Sequence, residues 1–190
     1  MVQEVWQGAG HTDQVQSVAW QWEGKLLASQ AKDKTLRVWD PRSGEAAMEA
    51  GSHEGVKDSK VVWVAEDRIL TSGFSHNRAR ELIIRDTRNL ATPLHSRELD
   101  VSAGILVPLF DPDTKMVFLT GKGDRYIHFV EVTNNAPWIV EGLRYTGEQT
   151  KVSCVMTFNL CTKSVSGRVS CSQARHGRDE GRGGEAAAAG

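Results

Sequence analysis

No cysteine occurs before residue 154, and no tryptophan or proline occurs after residue 138. No apolar run approaches the ~18 residues of a membrane-spanning helix. The first residues, Met1-Val2-Gln3-Glu4-Val5, lack the basic and apolar regions of a secretory leader, so none is expected. Neither sign of charge is in excess: 23 Lys and Arg stand against 24 Asp and Glu, for a net charge of -1. A general nucleic-acid binder needs a cationic excess to neutralise phosphates, so that class is excluded. These absences also divide the chain. Residues 1–151 hold all six Trp and no Cys, with 18 basic against 21 acidic side chains. Residues 152–190 hold all three Cys, with five basic against three acidic side chains. A cysteine-free body fits a reducing compartment, and a cytoplasmic location is expected.

What the body does contain is a repeat. Three apolar runs end in a hydroxyl residue: Leu27-Ala28-Ser29, Leu70-Thr71-Ser72 and Phe118-Leu119-Thr120. Each is followed by a polar loop and a second run that closes on an acid, at Asp40, Asp86 and Glu131. Those acids are 46 and 45 residues apart, near the ~40–45 of a four-stranded propeller blade. The runs are short, rich in Val, Ile, Leu, Trp and Thr, and bounded by turn residues such as Asp40-Pro41-Arg42-Ser43-Gly44. That pattern reads as strand. Strands are expected near 15–20, 26–31, 35–39 and 46–50, then 60–64, 68–74, 81–85 and 94–99, then 104–110, 116–121, 126–132 and 138–145. Residues 2–7 would be an orphan outer strand of a preceding blade.

The first unit opens on Gly10-His11 and closes on Trp39-Asp40. In this it resembles the WD40 repeat, whose signature is GH near the start and WD at the end. The resemblance implies that Trp39, Ser29, His11 and Asp33 form one buried chain of hydrogen bonds. Trp39 has only an N–H to give, Ser29 can accept it and donate onward, and His11 can accept from Ser29 and donate to Asp33. The second unit has His53 and Ser72, but Arg85 in the Trp slot and Ala79 in the Asp slot. The third has Thr120 and Asp124, but Val130 and no His. Only the first unit is expected to carry the full network.

Longer stretches resemble the coronin family: Ala31 to Gly44, Ile69 to Ser75 followed by Arg80-Glu81, and Leu106 to Thr114 leading into Leu119 to Asp124. The wording is nearer the long tandem-propeller coronins than the short coiled-coil ones. The resemblance covers roughly residues 8–150. It implies an all-β WD40 β-propeller, here about three blades (10–52, 53–99 and 100–150) of a seven-bladed ring, left as an open arc. It further implies binding of F-actin and organisation of the cytoskeleton. For the long type it also implies Golgi trafficking or a link from actin to microtubules. A WD40 scaffold that docks trafficking adaptors or peptides without touching actin is the alternative.

Residues 151–190 resemble nothing in that family. They hold one aromatic, Phe158, and run into Gly-, Arg- and Ala-rich low complexity from Gly177, so disorder is expected. Val152 to Leu160 could add one strand. Cys154, Cys161 and Cys171, with His176, lack the C-x2–4-C spacing of a zinc site and read as free thiols. Lys151-Val152-Ser153 can be encoded by AAG-GTG-AGT, an in-frame splice donor. Translated intron, a truncated product and a poorly soluble chain are therefore expected.

No catalytic set stands out, so the chain reads as a binding protein without cofactor or metal. Thr120-Gly121-Lys122-Gly123-Asp124 lacks the spacing of a phosphate loop. Asp111 and Asp113 form a turn with too few oxygens for calcium. In a blade, the loops between second and third strands share one rim. Here they hold Lys32, Lys34, Arg78, Arg80, Lys122 and Arg125, the candidate actin-binding rim. Their acids are Asp33, Glu81 and Asp124, and the buried network occupies two of these. A locally basic rim suits an acidic filament surface.

Overall fold

The computed structural model describes residues 10–43 and 46–147. The orphan strand at 2–7, the residues from 152 onward, and with them Cys154, Cys161, Cys171 and His176, lie outside the described residues. Twelve strands and no helix occur among those described. They form three antiparallel four-stranded sheets, each a meander in sequence order.

The first sheet comprises β1 (Val15–Trp20), β2 (Leu27–Ala31), β3 (Thr35–Trp39) and β4 (Ala46–Gly51). The second comprises β5 (Lys60–Ala65), β6 (Arg68–Phe74), β7 (Arg80–Asp86) and β8 (Asn89–Asp100). The third comprises β9 (Leu106–Asp111), β10 (Met116–Gly121), β11 (Tyr126–Val132) and β12 (Ile139–Thr146). One strand departs from expectation. β8 runs twelve residues, beginning directly after the Thr87-Arg88 turn, where Asp86 pairs with Asn89. Pro93 hides that start in the sequence. It is tolerated because β8 is an outer strand, where a missing N–H breaks no ladder.

Alternation along the strands assigns the two faces of each sheet. Ala28, Leu36, Val38 and Ala50 of the first sheet are buried against Val61, Trp63, Ile69 and Leu90 of the second. Leu70, Leu82 and Ile84 of the second sheet are buried against Leu106, Val117, Leu119 and Val130 of the third. Polar bonds pin the inner strands in register. Trp63 Nε1 donates to Ala19 O at 3.0 Å, Val61 N to Ser17 Oγ at 3.1 Å, and Ser72 Oγ to Leu106 O at 2.8 Å. Trp22, beyond β1, meets the ring of Phe110 on β9 at 5.6 Å. The first and third sheets thus touch past the second.

The turns after β2, β6 and β10 open at the same end as the segments that enter β1, β5 and β9. Lys32 N donates to Gln14 O, Gly55 N donates to Phe74 O, and Lys34 Nζ donates to Glu54 O. That end carries the candidate site.

Candidate functional site

Behind the rim of the first sheet, His11 Nε2 lies 2.7 Å from Ser29 Oγ, and Trp39 Nε1 donates to the same oxygen at 2.6 Å. His11 Nδ1 lies 3.0 Å from Asp33 Oδ2. Thr35 and Arg37 join the four expected residues. Thr35 Oγ1 donates to Asp33 Oδ1 at 2.6 Å, and Arg37 Nη1 to Asp33 Oδ2 at 3.1 Å. Arg37 Nη1 is also 2.6 Å from His11 Nδ1. That nitrogen therefore donates to Asp33 in one tautomer and accepts from Arg37 in the other. Burial pushes the Asp33 carboxyl up. The hydrogen bonds from Thr35, His11, the Thr12 N–H and Arg37 outweigh it and hold the group well below the ordinary carboxylate range. Arg37 is legible in hindsight: alternation along β3 places it on the face shared by Thr35 and Trp39.

The second sheet lacks the full set, but it holds a shorter network, built from other residues, where none is expected. His53 Nδ1 lies 2.7 Å from Glu81 Oε1, and His53 Nε2 lies 3.0 Å from Thr71 Oγ1. The hydroxyl is Thr71, not Ser72, whose own hydroxyl bonds the third sheet. The acid comes from the strand, not from the Ala79 turn position. The β6–β7 ladder extends to Phe74 and Arg80, which places Glu81 opposite Gly73. Glu is one methylene longer than Asp and reaches the ring from there. Gly73 leaves the ring its room, because a Cβ at that position would sit 2.3 Å from His53 Cγ. Arg85, in the Trp slot, is buried and bonds the carbonyls of Gly51 and Leu90. Burial lowers its pKa, with Glu81 partly opposing.

In the third sheet Thr120 pairs with Ile127 while Val130 pairs with Val117. Thr120 and Val130 therefore point to opposite faces, and the Thr120 hydroxyl has no hydrogen-bond partner among the described residues. Asp124 instead binds Arg80 of the second sheet and accepts from Ser102 Oγ at 3.1 Å.

That contact corrects the rim. Arg80 is only 1% exposed. Its Nε and Nη2 each donate to Asp100 at 2.5 Å, and its Nη1 donates to Asp124. Burial opposes its charge, but the two carboxylates outweigh burial and raise its pKa. Arg80 opens β7 with its side chain turned inward, so it ties two sheets together and offers nothing at the surface. Lys32, Lys34, Arg78, Lys122 and Arg125 are exposed. Lys34 and Arg78 occupy matching turn positions with φ of 61° and 62°, left-handed values that non-glycine residues adopt at a cost of about 1 kcal/mol. Gly123 takes the left-handed position in the third turn, at φ 88°. The turn acids Asp33 and Asp124 and the β7 acid Glu81 all face inward: Asp33 to His11, Glu81 to His53 and Asp124 to Arg80.

Between the first and second rim turns lies a notch of about 230 Å³. Its lining includes Lys32, Lys34, Val56 and Lys57. Val56 and Lys57 lie on the crossing into β5, a segment whose charge pattern drew no attention in the sequence.

Residues 3–40 match the family described as WD domain, G-beta repeat. The WD40 domain of Toxoplasma gondii coronin superposes with a TM-score of 0.64 at 29% identity, covering 75% of this chain and 36% of that one. The fold is a partial WD40 propeller. A chain of the mitotic checkpoint complex superposes with a TM-score of 0.59 at 18% identity, over 75% of this chain and 44% of that one, a likeness of fold alone. The partial propeller thus spans well under two thirds of each of these two structures, and among the described residues the sheets do not close into a ring. The trio His11, Ser29 and Asp33 resembles a hydrolytic triad in composition. In this blade the Ser29 hydroxyl is buried and already bonded by the Trp39 indole.

Proposed function

We propose that this partial propeller docks proteins through its basic rim, and that its target is an acidic filament surface, F-actin. The observation that carries the reading is the charge left at the rim. Lys32, Lys34, Arg78, Lys122 and Arg125 face solvent while the neighbouring acids Asp33, Glu81 and Asp124 are turned inward onto His11, His53 and Arg80. A locally basic set of turns steers and orients an acidic partner, and does so less as salt rises. The coronin resemblance of residues 8–150 and the superposed coronin domain support actin as that partner. The test is co-sedimentation with actin filaments of the chain and of a variant carrying Lys32→Glu, Lys34→Glu and Arg78→Glu. Salt-sensitive pelleting that the variant loses is the expected result. Equal pelleting of both proteins, or none at low salt, removes the reading. The inter-blade notch favours a second reading, in which the rim docks adaptor peptides without touching actin.

A further inference from the structure

We infer that the notch between the first two blades is a binding site for an extended acidic peptide, one carboxylate side chain entering it beside an apolar neighbour. The inference deepens the protein-docking reading and rests on it. The notch is lined by Lys32 and Lys34 from the β2–β3 turn and by Val56 and Lys57 from the segment entering β5. Lys34 and Lys57 are held in place by backbone carbonyls rather than by carboxylates. Lys34 Nζ donates to Glu54 O at 2.8 Å, and Lys57 Nζ donates to Ala103 O at 2.7 Å while resting 4.8 Å from the Phe74 ring. An ammonium has three donors, so each of these bonds positions the charge without neutralising it.

Asp33, between Lys32 and Lys34 in sequence, is turned inward onto His11, Thr35 and Arg37. Asp58 accepts from Gln16 Nε2 at 3.0 Å. Glu54 points away, lining a second depression with His76. Asp13 is the one carboxylate lining the notch among the described residues, and it accepts from Gln14 N. Lys32 and Lys34 thus face one lining acid, while the Lys57 stem lines the notch and its ammonium is held at Ala103, in the segment entering β9. Val56, 83% exposed, adds an apolar shelf at the same mouth. Charge complementarity selects a carboxylate, and the shelf selects an apolar residue beside it.

The test measures fluorescence anisotropy of a labelled decapeptide of alternating Glu and Val on the full chain at low salt. An alternating Lys and Val peptide serves as the control. Saturable binding of the Glu peptide alone is expected. It should weaken about three- to tenfold in Lys32→Gln/Lys34→Gln, the loss of two partly exposed charge pairs. Val56→Asp, at an exposed position, should weaken it too and stands in should the lysine variant fold poorly. Arg42→Gln/Arg88→Gln, on exposed turns after β3 and β7 at the end away from the rim, should leave binding unchanged. No saturation below about 1 mM, equal binding of the Lys peptide, or an equal loss in the Arg42/Arg88 variant would overturn the inference. Filament co-sedimentation by a protein that ignores the peptide would sink this inference alone. Peptide binding without filament binding would sink only the actin reading.

Discussion

His11 and His53 do the same work with different partners. Each links a strand hydroxyl, Ser29 or Thr71, to an acid, Asp33 or Glu81. Replacing His11 by Ala removes the ring that links Ser29 to Asp33, leaving Ser29 only the Trp39 indole and Asp33 only Thr12, Thr35 and Arg37, and should lower stability by about 1–3 kcal/mol in urea unfolding. His53→Ala should cost a similar amount, and an unchanged midpoint would mean the second network contributes nothing. Gly73→Ala should destabilise too, since its methyl would meet the His53 ring. Asp33 and His128 make different kinds of contribution to the pH dependence. Asp33 is depressed on folding, so its contribution is full above its unfolded value near 3.8 and is lost as pH falls through the folded value. His128 is lowered chiefly by burial, with Asp100 opposing and Arg144 and Arg80 adding to the drop. The unfolded chain then takes up a proton first, and stability falls as pH drops below about 6.5 toward the folded value. Denaturation midpoints from pH 7.5 to 5 should show this slope, and His128→Gln should flatten it.

At the scale of the element, β7 is the hinge of the electrostatics. Its first residue, Arg80, holds Asp100 at the end of β8 and Asp124 from the turn before β11. Removing one partner from a buried ionic set costs about 3–5 kcal/mol, because the remaining charges stay desolvated and unpaired. Arg80→Gln should therefore lower the melting temperature sharply. Arg78→Glu, two residues away on an exposed turn, should leave the melt unchanged and alter only binding. Thermal melts of the two variants side by side check this, and equal melts would return Arg80 to the surface. Arg68 makes a second tie at the opposite end of the same sheets. It donates to Thr133 O at 3.0 Å and lies 4.9 Å from the Trp138 ring.

For the whole molecule, the exposed apolar side chains decide solution behaviour. Val18 and Trp20 on β1 are 54% and 55% exposed. They pair with Ser29 and Leu27 on the face turned away from the second sheet. A face of this kind is where a further blade packs in a propeller, and exposed it favours association. Light scattering of the chain should rise with concentration, and Val18→Thr/Trp20→Lys should suppress the rise. Monodisperse behaviour at high concentration in the unaltered chain would show that the face is not sticky.

Period and alternation in the sequence determined the strand order, most strand limits, the three four-stranded units and the GH…WD residues of the first blade. These are local properties: side chains alternate across a pleat, turn residues interrupt the runs, and a repeat shows in one dimension. Only the tertiary structure decided where Arg80 points, because both of its carboxylates arrive from distant parts of the chain. It also decided that Glu81 replaces the expected turn aspartate. That depends on how far the β6–β7 ladder extends and on the space above Gly73. Thr120 and Ser72 lie on the other face from the expected one for a related reason, since a one-residue shift along a strand turns a hydroxyl to the opposite face. The notch lay hidden because its lysines belong to two blades. Charge in a cleft is a property of neighbours in space, which the order of residues along one strand does not contain.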